Sequence, residues 1–383
     1  MIGETKKVIV FSQSQARATA ILNLTKGWGV EKSVVEENGI EGIKILQHEA
    51  FDIVICDTEL KYIKGTLFAQ EVKSSSKIPN MPFLLFGQKE PDSQFNLDEH
   101  GIVKFLSWPV IKRDFDFVLS STIQLFKTSG TIEDKYTKAK DSLINKDGPK
   151  TIDLYDELRV LTKRTARSSV GLAQAYDAND EPEKAEKVMI EIAEEGKGSP
   201  ANQLLTVGIL LKNQQTEEAK KIGYDLLIQE PGPFYFTSLA KCFFENKVLD
   251  IAKDICCKGQ EKGYELRDLY ILEAKCLHLN KNYKKSLSAT VKAEKKFGAG
   301  SETLNLKGAN QRRIGYFEAA LKSYEAALKI SPKDVKIYFN LAMCHVELKE
   351  EQQALTYLQT AVEMDPSFKR AINKIAEIKR RVA

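Results

Sequence analysis

SETLNLKGANQRRIGYFEAALKSYEAALKISPK (residues 301–333) and DVKIYFNLAMCHVELKEEQQALTYLQTAVEMDPSF (residues 334–368) superimpose at a shift of 34 residues. Gly308 falls on Ala342, Ala320 on Ala354, Tyr324 on Leu358, Ala327 on Ala361 and Pro332 on Pro366. A fixed period of this size marks a repeat architecture and takes precedence over any local reading. Each unit holds two apolar-periodic segments of about a dozen residues with a short break between them, which predicts a helix–turn–helix. The small residues predict close helix crossings, and the proline falls where the second helix must end.

Small residues at repeat positions 8, 20 and 27, a bulky one at 24 and proline at 32 make this pattern similar to the tetratricopeptide repeat. Followed backwards, position 8 reads Ala173, Val207, Ala240, Ala274, Gly308 and Ala342. Position 20 reads Ala185, Ala219, Ala252, Ser286, Ala320 and Ala354. Position 27 reads Ile192, Leu226, Gly259, Ala293, Ala327 and Ala361. Position 32 is proline at 231, 332 and 366, but Lys197, Tyr264 and Gly298 elsewhere. The frame predicts six repeats over 166–368 as an all-α solenoid. The tail 369–383 reads as a capping helix, with Ile372, Ile375 and Ile378 on one face and Lys379, Arg380 and Arg381 in its last turn.

The chain has 383 residues, enough for two or more domains, with 43% hydrophobic and 29% charged residues and a net charge of +4. Residues 1–128 carry a net charge of −1 and the remainder +5. Neither value points to nucleic acid. No apolar run approaches the ~20 residues of a membrane span. No signal-peptide pattern precedes the strand-like run at the N-terminus, so a cytoplasmic protein without membrane insertion is expected. The six cysteines (56, 242, 256, 257, 276 and 344) show no C-x-x-C and only four histidines accompany them. No metal or other cofactor is expected.

Residues 1–128 lack the 34-residue period. Strand-like runs at 7–11, 32–37, 51–57, 82–87 and 102–108 alternate with helical patterns, including a short helix over 92–100. Five such units predict an α/β doubly wound five-stranded parallel sheet with its site at the carboxyl ends of the strands. Ser12, Asp57, Gly87 and Trp108 fall on that rim. The layout resembles the receiver domain of bacterial response regulators, of flavodoxin-like order. The resemblance rests on Asp57 ending the third strand, Gly65 eight residues on, Pro82 opening the fourth strand and Pro109 after the fifth. It implies a phospho-acceptor at Asp57, an acidic pair holding Mg²⁺, a hydroxyl ending strand four and a lysine before the last proline.

In this chain the acidic pair is Ser12 and Gln13, the hydroxyl position is Gly87 and the lysine position is Trp108. Phe105 stands where the family's switch aromatic would be. A lone carboxylate among neutral neighbours is a poor site for a hard cation. The expectation is a pseudo-receiver that keeps the fold without aspartyl phosphorylation. Residues 129–165 read as two connecting helices, with Thr131 as a helix cap and DGP (147–149) as a turn, possible as a degenerate leading repeat.

No P-loop, G-x-G-x-x-G, nucleophile elbow or metal-ligand cluster occurs, so no enzyme is expected. The expected function is a signalling adapter or scaffold that binds partner proteins through the repeats and the pseudo-receiver surface. The alternative is a response regulator switched by phosphorylation of Asp57, with the repeats as its protein-binding output. The repeat resemblance implies a groove lined by positions 2, 5, 9, 12 and 13. These include Phe234, Lys241 and Phe244, then Ile271, Lys275 and His278, then Asn305, Arg312 and Arg313, then Phe339 and Met343. Basic groups among apolar ones suit an acidic and apolar peptide segment. The chaperone co-receptors of the family hold a terminal carboxylate with Lys and Asn at positions 5 and 9. Here those positions are Thr237 and Lys241, Ile271 and Lys275, or Asn305 and Ala309, so that ligand class is not expected.

Overall fold

A computed structural model describes residues 7–89, 91, 95, 97, 100–194, 199–229 and 232–382. The chain divides into two compact units, Met1–Ser238 and Leu239–Ala383.

The first unit opens with a five-stranded, all-parallel sheet in the order β2-β1-β3-β4-β5. Its strands are β1 (Lys7–Phe11), β2 (Lys32–Glu36), β3 (Ile53–Asp57), β4 (Phe83–Gly87) and β5 (Phe105–Ser107). Strand alternation sends side chains to two faces. Ile9, Phe11, Val54, Cys56, Phe83 and Leu85 pack under α2 (Gly39–His48) and α3 (Gly65–Ser74). Val8, Val10, Ile53, Ile55, Leu84 and Phe86 pack under α1 (Gln15–Thr25) and α4 (Lys112–Lys127). Burial on both faces is why these strands read as near-continuous apolar runs. Helix starts follow from side-chain caps: Ser14 accepts from the Arg17 amide, and Asn38 from the amides of Ile40 and Glu41.

The fifth strand is shorter than the 102–108 of the sequence reading. Gly101 takes a φ of 64° and the Ile102 amide bonds the Leu97 carbonyl, so this stretch is spent on a turn. The helix expected over 92–100 lies largely outside the described residues, as do Lys197 and Pro231.

Helices follow in antiparallel pairs. The connecting pair is α5 (Ile132–Ile144), capped by Thr131, and α6 (Gly148–Leu161). The DGP signal is the start of α6, with Pro149 in its first turn, where a missing N–H costs nothing. Next come α7 (Ala166–Ala178) with α8 (Pro182–Glu194), and α9 (Pro200–Lys212) with α10 (Thr216–Ile228). They are followed by α11 (Pro233–Glu245) with α12 (Leu249–Glu261) and α13 (Arg267–Leu279) with α14 (Tyr283–Phe297). Two further pairs are α15 (Ser301–Arg313) with α16 (Phe317–Ile330) and α17 (Val335–Glu347) with α18 (Glu351–Met364). The single helix α19 (Lys369–Val382) packs on α18 and buries Ala371 and Ile378.

The small residues of the period stand at the crossings. All of position 20, from Ala185 to Ala354, is 0% exposed. A Cβ on Gly308 would stand 2.7 Å from the ring of Tyr324, so glycine there admits an aromatic ring between α15 and α16. Among the described residues no helix is long and apolar enough to cross a membrane.

Candidate functional site

Asp57 ends β3 with its side chain 0% exposed. The Ser12 hydroxyl, at the end of β1, donates to Oδ2 at 2.8 Å. Arg17, in the first turn of α1, reaches back over the strand ends. Its Nη1 lies 3.1 Å from Oδ2 and 3.4 Å from Oδ1, and 3.2 Å from Glu59 Oε2. The Glu59 amide donates to Oδ1 at 3.1 Å. The carboxylate is thus neutralised by a guanidinium that the chain itself supplies.

Trp108, half-buried after β5, carries that guanidinium on its ring at 5.7 Å and packs against Phe86. Gln13 is exposed to solvent beside this cluster. Gly87 has a steric cause: a Cβ there would stand 2.0 Å from the Thr58 hydroxyl. Thr58 fills the space at the end of β4. Phe105 is buried in the core. A hard cation does not fit this donor set, because the one buried carboxylate already faces a guanidinium and its near neighbour is a hydroxyl. Arg17 and Thr58 are site residues that sequence reasoning missed. The available signal was an arginine in the first turn of the helix that follows a strand end lacking its acidic pair.

A second polar cluster lies within the first unit. Arg167 on α7 forms a two-pronged pair with Glu133 on α5, at 2.5 and 2.9 Å. Asn80, before β4, donates to Glu133 Oε2 at 3.1 Å and accepts from Arg167 at 3.0 Å. Lys73 on α3 donates to Asn80 at 3.2 Å and to the Met81 carbonyl at 2.7 Å. Lys140 on α5 donates to the carbonyls of Val72 and Ile78. All five side chains are buried. Burial drives the Lys73 amine down to about 7, and Lys140 well below its ordinary range. Burial works against the Glu133 carboxylate, but Arg167 overrides it and holds the carboxyl at about 2. Nearby, the Tyr235 hydroxyl donates to Glu71 at 2.8 Å, and burial pushes Glu71 up to about 7.

The expected groove residues divide by burial. Phe234 is 7% exposed and belongs to the core that covers the α2–α3 face of the sheet. Ile271 is 5% and Phe339 8% exposed. These three correct the expectation of exposed apolar anchors: all three side chains are buried in packing. Phe244 and Met343 remain half-buried.

The polar residues of that face, within the second unit, are already engaged. Lys241 pairs with Asp268 at 2.6 Å, Lys275 with Glu302 at 2.5 Å and Arg312 with Glu347 at 3.6 Å. Each base reaches an acid on the first helix of the next repeat. Asn305 accepts from Asn340 at 2.8 Å. His278 Nδ1 meets Asn310 at 2.7 Å, and Asn310 donates to Ser286. Arg313 lies over the Tyr283 ring. Among the described residues no cluster of three or more metal-ligating side chains occurs. The six cysteines are free, and burial raises the thiols of Cys56, Cys256 and Cys276, which makes them poor nucleophiles.

Residues 315–378 match the family described as tetratricopeptide repeat. The Hsp70-Hsp90 organising protein of Plasmodium falciparum is 33% identical over 78 residues, covering 20% of this chain and 14% of that protein. The transcriptional regulatory protein ZraR of Klebsiella oxytoca is 25% identical over 117 residues, covering 30% of this chain and 25% of that protein. The chain thus spans well under a third of the length of either relative. A solved tetratricopeptide repeat protein from Parabacteroides merdae aligns with 65% of this chain and 98% of its own, at 12% identity and a TM-score of 0.46. Residues 315–378 are thus similar to the tetratricopeptide repeat, and they lie in a series of six helical pairs that follows a five-stranded parallel sheet of receiver-like order.

Proposed function

We propose that the chain is a non-enzymatic, cytoplasmic signalling adapter that binds partner proteins through its repeats and its pseudo-receiver surface, without aspartyl phosphorylation. In this reading residues 1–128 are the pseudo-receiver, 129–165 the join, 166–368 the six repeats and 369–383 the cap. One observation carries it: the Asp57 carboxylate is fully enclosed and faces Arg17 and Ser12. A phosphoryl group on Asp57 would have to displace the guanidinium, and the positions of the resembled family's metal-holding acidic pair are Ser12 and Gln13. Relatives named as organising proteins for Hsp70 and Hsp90 support an assembly role. On the first-helix face, a partner segment would seat its apolar side chains against Phe244 and Met343. Its carboxylates would compete with Asp268, Glu302 and Glu347 for the bases of the groove.

The test incubates the protein with acetyl phosphate and Mg²⁺ and reads the intact mass. No phosphoryl adduct is expected. An adduct that disappears in Asp57→Asn would overturn the reading and restore the phosphorylation-controlled alternative.

A further inference from the structure

Within the second unit, α12, α13 and α14 line an open surface cleft of about 400 Å³. Its floor is apolar, built from Leu277 of α13 and Ala289 of α14. Lys253 of α12 and Lys285 and Lys292 of α14 line it. The bases Lys241, Lys275 and Arg312 are not among the residues that line it.

The charge bookkeeping differs between the two faces. Each of those three bases has an acid opposite it. In the cleft the carboxylate is Glu273, and its Oε2 accepts from the Gln260 amide at 2.7 Å. Lys292 donates to the other end of the same amide at 2.9 Å and lies over the Tyr270 ring. Neither Lys253 nor Lys285 has a hydrogen-bond or ion-pair partner among the described residues. The cleft thus carries surplus positive charge over an apolar floor. Lys285 and Lys292 stand two turns apart on α14, about 10 Å along its axis.

We propose that this cleft docks an acidic helical segment of a partner protein. Carboxylates two turns apart on such a segment match the spacing of Lys285 and Lys292. A third carboxylate meets Lys253 across the cleft, and an apolar side chain between them rests on Leu277 and Ala289. The size lies in the range of clefts that enclose ligands, and lysine supplies three freely rotating donors to a carboxylate.

The probe is a capped helical peptide of alternating glutamate and leucine turns, bound to the full chain. Carbodiimide joins lysine amines to carboxylates at direct contact, and mass spectrometry locates the joints. Joints are expected at Lys253, Lys285 and Lys292. Replacing all three with Gln is expected to weaken binding about tenfold or more and to flatten its salt dependence. These are surface changes, and the melting temperature controls for folding. The matched control replaces Lys241 and Lys275 with Gln and is expected to leave this probe's affinity in place. The proposal fails if the peptide does not bind, or if joints spread evenly over exposed lysines such as Lys281, Lys333 and Lys349. It fails equally if the control variant, rather than the cleft variant, loses binding. Pyrophosphate that occupies the three lysines while the peptide does not compete would assign the cleft to a phosphorylated small molecule instead.

Discussion

The most informative side chain in the α/β sheet is Arg17. A carboxylate shut away from water needs a compensating charge, and Arg17 provides it from within the fold. Arg17→Ala is expected to lose about 1–3 kcal/mol in urea unfolding, because it leaves a buried charged acceptor short of a donor. Adding Asp57→Asn to that variant is expected to return part of the loss. If the double variant is no more stable than Arg17→Ala, the pairing is not what holds this rim together. Asp57 was legible as an acid ending a strand, and Trp108 and Gly87 as departures from a pattern. Their causes were not. Trp108 supports a guanidinium, and Gly87 yields to Thr58. Both relations join residues far apart in sequence, and neither has a motif. The apolar anchors fared worse. Phe234, Ile271 and Phe339 look alike in the repeat frame, and only packing shows that they are enclosed.

Elements explain what periodicity reads well and what it misses. A helix crossing needs small side chains, so its positions recur visibly every turn of the repeat. Ala354→Leu is expected to overpack one such crossing and cost about 1–3 kcal/mol, seen as a lower melting temperature. By contrast α3, α5 and α7 meet through Lys73, Glu133, Lys140 and Arg167, which no motif or period in the sequence singles out. Glu133→Ala is expected to cost about 3–5 kcal/mol, because the Arg167 charge stays buried without its partner. That cluster and the nearby Glu71–Tyr235 pair make stability pH-dependent with a definite sign. Glu71 titrates near 7 in the fold against 4.5 ordinarily, so the folded state holds the extra proton between those values. Stability from this group falls as pH rises through that window. Lys73 titrates near 7 against 10.5, so the unfolded chain holds the extra proton there, and stability rises with pH from about 7. Glu133 adds stability above its ordinary 4.5 that is lost as pH falls toward about 2. Glu71→Gln is expected to remove the falling limb between 4.5 and 7 in urea midpoints collected across pH. An unchanged limb would mean that Glu71 is not the group responsible.

At the scale of the molecule, fold class was legible because two different periods occupy two different stretches: alternating strand runs before residue 128 and a 34-residue repeat after 166. The ladder along the first helices has a consequence of its own. Lys241 and Lys275 hold repeat position 9, and their acids, Asp268 and Glu302, both hold position 2 of the next unit. The link therefore has a direction, base first and acid second, and both of these joins use the same complement. Excision of residues 267–300 would bring Lys241 opposite Glu302 and Asp268 would leave together with Lys275. Along this ladder no charge would be orphaned at the new seam, whereas Glu265 and Lys307 would lose Lys296 and Glu294. That ladder behaves like type set in a row: with one unit dropped, the base of the unit before still meets an acid of the unit after.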